Sequence, residues 1–200
     1  MNKKVLLFLA QGFEAYEASV FTDIIGWTHE AGNKQVDMTT TAFHSKLRCS
    51  WNLIVEPELP FDQIKVSDYD ALAIPGGMEW AGFYEDAYDE RLLNLIREFN
   101  RDGKIIASIC VSALALGKSG VLENRNTTTW DLNKGKRLQE LADFGANIIN
   151  QSVVIDKNII TSNGPASGPK VAFSLLEMLT DKETTEAIKL DMRFKNSQLM

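Results

Sequence analysis

Three short segments, Val5–Ala10, Ala71–Ile74 and Ile105–Ile109, are apolar along nearly their whole length, Ser108 being the one polar residue in them. Strands buried on both faces read this way, and such strands belong to parallel sheets covered by helices on each side. Gln35–Thr41, Val153–Asp156 and Ile159–Thr161 read as further strands, the last two joined at Lys157-Asn158 as a hairpin at the sheet edge.

Amphipathic stretches fill the intervals, and their spacing predicts helices over 17–31, 88–101, 111–118, 134–142, 167–179 and 181–190. Gly32 is placed as the glycine that closes the first, and Gly103, after Arg101, as the one that closes the second. A Ser162-Asn163-Gly164-Pro165 turn precedes the fifth. Strand and helix in alternation, joined by right-handed crossovers, give a doubly wound α/β sheet. No repeat or linker divides the chain, so one domain over 1–200 is expected, with a tail or packing arm from about Lys189.

Composition removes several functions. The formal net charge is −6 and no long basic run exists, whereas a nucleic-acid backbone needs clustered Lys and Arg. Lys134-Gly135-Lys136-Arg137 is the most basic stretch, and it reads as a solvated helix face. No apolar run reaches the ~18 residues of a membrane span. The run after Met1-Asn2-Lys3-Lys4 is short for a signal peptide and reads as a buried first strand. Cys49 and Cys110 form no disulfide framework, so a reducing cytoplasm is the expected location.

Ligands of open parallel sheets bind beyond the carboxyl ends of the strands. That rule selects Gln11–Glu17 after the first strand, Pro75-Gly76-Gly77-Met78 after the second and Cys110 after the third. A carboxylate, a glycine pair and a thiol therefore share one rim. Ala107-Ser108-Ile109-Cys110-Val111-Ser112-Ala113 passes from strand to helix with no loop, which strains the residue at the corner and requires small neighbours two places away. Ser108 and Ser112 meet that requirement. A thiol at a helix start meets backbone N–H groups that lower its pKa, although a buried structural cysteine would fit the same pattern.

The N–H groups of Gly77 and Val111 could together form an oxyanion hole, and a bare tight turn is the other reading of Gly76-Gly77. Glu17 in the first turn of its helix either stabilises the dipole, a role open equally to Glu14, or serves Cys110. For the second role Glu17 must be protonated, because an ionised carboxylate would raise the thiol pKa. Gly117-Lys118-Ser119 lacks the earlier glycine of a phosphate loop, Ser112 standing there. No His or Cys pair has metal-ligand spacing, and no cofactor is implied.

These residues resemble the ThiJ/PfpI family, within the class I glutamine amidotransferase-like superfamily. Lys4–Glu17 is similar to its first strand and glutamate, Tyr69–Gly77 to its strand and oxyanion loop, Lys104–Leu122 to its nucleophile elbow, and Ser162–Pro165 to its late Gly-Pro turn. The resemblance spans roughly residues 3–190 in order. It implies a flavodoxin-like three-layer sandwich, a homodimer, and Cys110 with Glu17 as the functional pair. Gly76, Thr129, Trp130 and Asn163 are expected around the pocket.

Two positions depart from the pattern, since histidines common in the family fall here on Val111 and Trp130. A positioned acid or base contributes ~10²–10⁴-fold, so their absence weakens the expectation of a peptidase or amidase. His29 and His44 match no motif position. Trp130 reads equally as a core aromatic or as the wall of a narrow site. The resemblance implies chemistry on small reactive carbonyls in the glyoxalase or deglycase manner; the alternative is an oxidant-sensing or chaperone-like protein working through Cys110.

Overall fold

The computed structural model describes residues 2–31, 34–132 and 135–194. Its strands are β1 (Lys3–Phe8), β2 (Val36–Ala42), β3 (Leu47–Arg48), β4 (Ile54–Val55), β5 (Leu59–Pro60), β6 (Ala71–Ile74), β7 (Ile105–Ser108), β8 (Asn126–Thr127), β9 (Asn147–Ile148), β10 (Val153–Asp156) and β11 (Ile159–Ser162). Its helices are α1 (Ala15–Gly26), α2 (Phe83–Ala87), α3 (Glu90–Arg101), α4 (Ala113–Lys118), α5 (Lys136–Asp143), α6 (Gly168–Leu179) and α7 (Lys182–Asp191).

Seven strands form the central sheet in the order β10-β11-β7-β6-β1-β2-β5. All neighbours are parallel except β10 and β11, which make the edge hairpin expected around Lys157-Asn158. The three apolar runs occupy its centre: Val5 to Phe8, Ala71 to Ile74 and Ile106 to Ser108 are buried, the polar Ser108 included. This is a flavodoxin-like three-layer α/β sandwich.

Strand order also locates the ligand end. From β1 the chain crosses through α1 to β2, toward one edge, whereas from β6 it crosses through α3 to β7, toward the other. Both crossovers are right-handed only if α1 and α3 lie on opposite faces. Accordingly α1 packs with α6, while α3 packs with α4 and α4 with α5. The reversal falls between β1 and β6, which opens a crevice at their carboxyl ends.

Local signals set most boundaries. The Asp89 side chain accepts from the N–H of Arg91 at 2.8 Å and starts α3. Gly103, at φ +67°, ends that helix as expected, and Lys104 N–H then reaches Phe99 O at 2.9 Å. The first helix is shorter than predicted, closing through a 3₁₀ turn at Trp27–His29; Gly32 lies outside the described residues. The helix expected from Val111 becomes α-helical only at Ala113, after a 3₁₀ turn at Cys110–Ser112. Near the end, α7 runs to Asp191 and the Phe194 ring rests edge-on against Phe173, the centroids standing 5.1 Å apart. Residues 1, 32–33, 133–134 and 195–200, which include parts of the expected fourth helix and the tail, are outside the described residues.

Candidate active site

Cys110 occupies the corner between β7 and α4 with φ +63°, a left-handed conformation costly for a residue bearing a Cβ. Three contacts hold it there. Ser112 Oγ donates to Ile74 O at 2.9 Å and to Ile109 O at 2.7 Å, tying the elbow to β6. Thr129 Oγ1 donates to Cys110 O at 2.9 Å. Ser108, the other small neighbour, is fully buried. The strain of order 1–3 kcal/mol is thus stored in a corner fixed from both sides.

Glu17, in the first turn of α1, is fully buried, and its Oε2 accepts from the N–H of Gly76 at 2.6 Å. No donor in hydrogen-bonding geometry reaches Oε1, while Cys110 stands close enough to interact with the carboxyl. Gly76 is the reason this approach is possible: a Cβ on it would lie 2.9 Å from Cys110 Cβ, Glu17 Oε2 and Ile109 O alike. Gly77 is required for a different reason. Its Cβ would meet Gly12 O and the Phe83 ring at 2.4 Å, so this glycine serves the packing of two loops. Those loops are bridged by Glu14 N–H to Gly76 O and Met78 N–H to Gly12 O, a pattern that leaves the Gly77 N–H outside the bridge.

Burial dominates the electrostatics. It pushes the Glu17 carboxyl up to about 8, Glu14 adding to the rise while the Gly76 N–H and Cys110 oppose it. Glu17 is therefore protonated at neutral pH, as its proposed role requires. Burial also pushes the Cys110 thiol up, and an ionised Glu17 pushes it further; the Val111 N–H opposes both. The lowered thiol pKa expected from the sequence is not realised in the free protein. The helix behind Cys110 has only six residues and begins after a 3₁₀ turn, so a weak dipole faces a strong desolvation cost.

A cavity of about 270 Å³ opens beside Cys110, which is 6% exposed. Gly77, Val111 and Trp130 line it as the sequence suggested. Asn163 does not: its side chain is exposed and its N–H is committed to Ser152 O at 3.0 Å, so Pro165 is the residue of that turn which reaches the cavity. Thr129 and Gly76 act beneath the cavity rather than in its wall. Neither histidine joins it. His29 Nε2 lies 3.1 Å from Val36 O and His44 Nε2 lies 3.1 Å from Asp86 Oδ1. Among the described residues no cluster of His, Cys, Asp and Glu could hold a metal ion, and no helix is long and apolar enough to cross a membrane.

Arg137 is the correction of greatest consequence. The sequence placed it on a solvated basic face, yet it is 7% exposed and lines the cavity. Its guanidinium lies 4.8 Å over the Tyr84 ring, donating to Glu79 Oε2 at 2.6 Å and Glu140 Oε2 at 3.1 Å. The signal lay in α5's amphipathic spacing, where Arg137 shares the inward face with Leu141.

"Protein dj-1beta" from Drosophila melanogaster is 27% identical over 190 residues, covering 94% of this chain and 95% of the relative. A deglycase from Thermococcus kodakarensis is 28% identical over 163 residues, covering 81% of this chain and 90% of that one. The crystal structure of Drosophila melanogaster DJ-1beta superimposes with a TM-score of 0.85 at 24% identity, covering 98% of this chain and 100% of that one, which shows the shared fold. The sequence model of the DJ-1/PfpI family matches residues 3–178, and the chain belongs to that family.

Proposed function

We propose that this protein acts on small reactive carbonyl compounds, with Cys110 as nucleophile and Glu17 as its proton carrier. The observation that carries the reading is the strained Cys110 at a small cavity, backed by a buried carboxyl that stays protonated at neutral pH. As a carbonyl carbon approaches, the sulfur–carbon bond forms and the carbonyl π pair moves onto oxygen. Glu17 takes the thiol proton and passes its own to that oxygen, giving a neutral hemithioacetal. The N–H groups of Gly77 and Val111 face the charge that develops on oxygen. With a 2-oxoaldehyde, the C–H proton of the hemithioacetal moves to the neighbouring carbon and its hydroxyl proton to the oxygen on that carbon, giving a thioester that water cleaves to the hydroxy acid and the free Cys110 thiol. The homology to a deglycase supports carbonyl chemistry without fixing the substrate.

This path needs no histidine, which fits a cavity bearing Val111 and Trp130 at the two family positions. A cytoplasmic homodimer belongs to the same proposal, and light scattering of the purified chain reads its assembly. The test of the activity is consumption of methylglyoxal with formation of lactate. Wild type is expected to turn over, and Cys110→Ser to be inactive while still folded. A folded wild type without turnover overturns the reading.

Oxidant sensing is the second reading, favoured by the protonated Glu17, which can donate a hydrogen bond to a Cys110 sulfinate. Mild peroxide followed by mass spectrometry then gives a stable two-oxygen product at Cys110, lost in Glu17→Ala. Peptidase chemistry has less support, because His29 and His44 both lie outside the cavity.

A further inference from the structure

Resting on the carbonyl reading, we propose that the substrate also carries a carboxylate, held by Arg137. Among the described residues Arg137 is the only cation lining the cavity. Its guanidinium is half used. The side-on edge of an arginine consists of Nε–H and Nη2, and this edge grips a carboxylate with two parallel bonds. Here Nη2 donates to Glu79, while Nε is buried and has no partner. The Tyr84 hydroxyl, in the same wall, is likewise buried without a partner. Two orphaned donors in one small cavity are costly unless a ligand with several acceptor oxygens satisfies them.

The exchange needed is small. Glu79 holds Arg137 from the rim with a side chain 68% exposed, so it can swing into water at little cost. The incoming carboxylate replaces Glu79 rather than adding a further negative charge to the guanidinium. Glu140, on the same helix, continues to hold Nη1 and keeps the group aligned. Arg137 is thereby a specificity-determining residue for an aldehyde or ketone that bears a carboxylate within the span of the cavity.

The test compares glyoxylate with its neutral methyl ester as agents that protect Cys110 from iodoacetamide, with alkylation read by mass spectrometry. In wild type, glyoxylate is expected to half-protect at a concentration at least about tenfold lower, the factor a charge-assisted pair supplies. Arg137→Met removes the preference, so that glyoxylate and its ester half-protect at similar concentrations. Glu79→Gln strengthens glyoxylate alone, since it weakens the competitor. Should Arg137→Met fail to fold, the wild-type preference and its reduction in Arg137→Lys and Tyr84→Phe carry the same information. Equal protection by both aldehydes in wild type overturns the assignment of Arg137 and leaves the carbonyl reading standing. Protection by neither overturns both.

Discussion

Glu17 Oε2 and Gly76 N lie 2.6 Å apart, and a Cβ on Gly76 would intrude to 2.9 Å from that same oxygen. The residue that donates to the buried carboxyl must therefore also lack a side chain. The same absent Cβ lets Cys110 Cβ close on the pair from the other side. Backbone, carboxyl and thiol form one contact, so no member can change without moving the others.

Gly76→Ala is expected to destabilise by about 1–3 kcal/mol, the usual cost of overpacking a dense core, and to abolish carbonyl turnover. Gly26→Ala supplies the contrast, because a Cβ there meets nothing within 4 Å and the backbone is helical. That change should gain roughly 0.4–1 kcal/mol and leave turnover intact. Urea unfolding of the two variants beside wild type measures both effects. Comparable stability of Gly76→Ala and wild type would mean that the loop relaxes away from Glu17.

Glu17 gives the fold a pH dependence of defined sign. Its folded pKa of about 8 lies above the unfolded value near 4.5, so between them the native state holds a proton that the unfolded chain has lost. The associated stability is complete below about pH 4.5 and declines as pH rises toward 8, by at most roughly 1.4 kcal/mol per unit. In Glu17→Gln that decline should vanish, and the variant's advantage over wild type should grow from pH 5 to 8. Denaturant midpoints at several pH values report it; parallel profiles for the two proteins would place the Glu17 pKa near its ordinary value.

The sheet was legible because strands buried on both faces have little freedom in composition, and Val5–Ala10 and Ala71–Ile74 are too short and too evenly apolar to be much else. Cys110 and Glu17 were legible through spacing and family resemblance, since an elbow needs small flanks and a fixed distance from its strand. The two-residue strands β3, β4, β5, β8 and β9 were not, being too short to show a period. Arg137 escaped for a different reason. A cation in a basic tetrapeptide looks solvated until its carboxylate partners, Glu79 and Glu140, are brought in by the fold, and Glu79 comes from far along the chain. The thiol pKa was misjudged similarly, because the sequence shows the helix start but not the burial that opposes it.

Thr129 supplies the hydroxyl that holds the Cys110 carbonyl, and both residues are buried. Thr129→Val keeps the shape and removes the donor, leaving a carbonyl at a strained residue without that partner. A loss of about 1–3 kcal/mol is expected, with a change in the rate of Cys110 alkylation. Thr129→Ser should restore the rate more fully than the stability, since it returns the hydroxyl but not the methyl group. Cys49, whose Sγ accepts from the N–H groups of Trp51 and Leu53, is the internal reference and should not respond.

Trp130 stands where many relatives of this fold were expected to carry histidine, and it shares the cavity wall with Cys110. Trp130→His tests whether that position reaches the sulfur. An imidazole within hydrogen-bond range would accept the thiol proton and stabilise the thiolate as an ion pair, against the desolvation that now keeps the thiol protonated. Cys110 alkylation should then rise at neutral pH and acquire an inflection near the ordinary histidine pKa of ~6.5. Wild type, in which the carboxyl against the thiol is that of Glu17, should lack that inflection and change slope around pH 8 instead. A rise without the inflection would reflect better access once the indole is removed, and Trp130→Ala would reproduce it. An unchanged profile in both variants would leave Trp130 as a wall that shapes the cavity without governing the thiol.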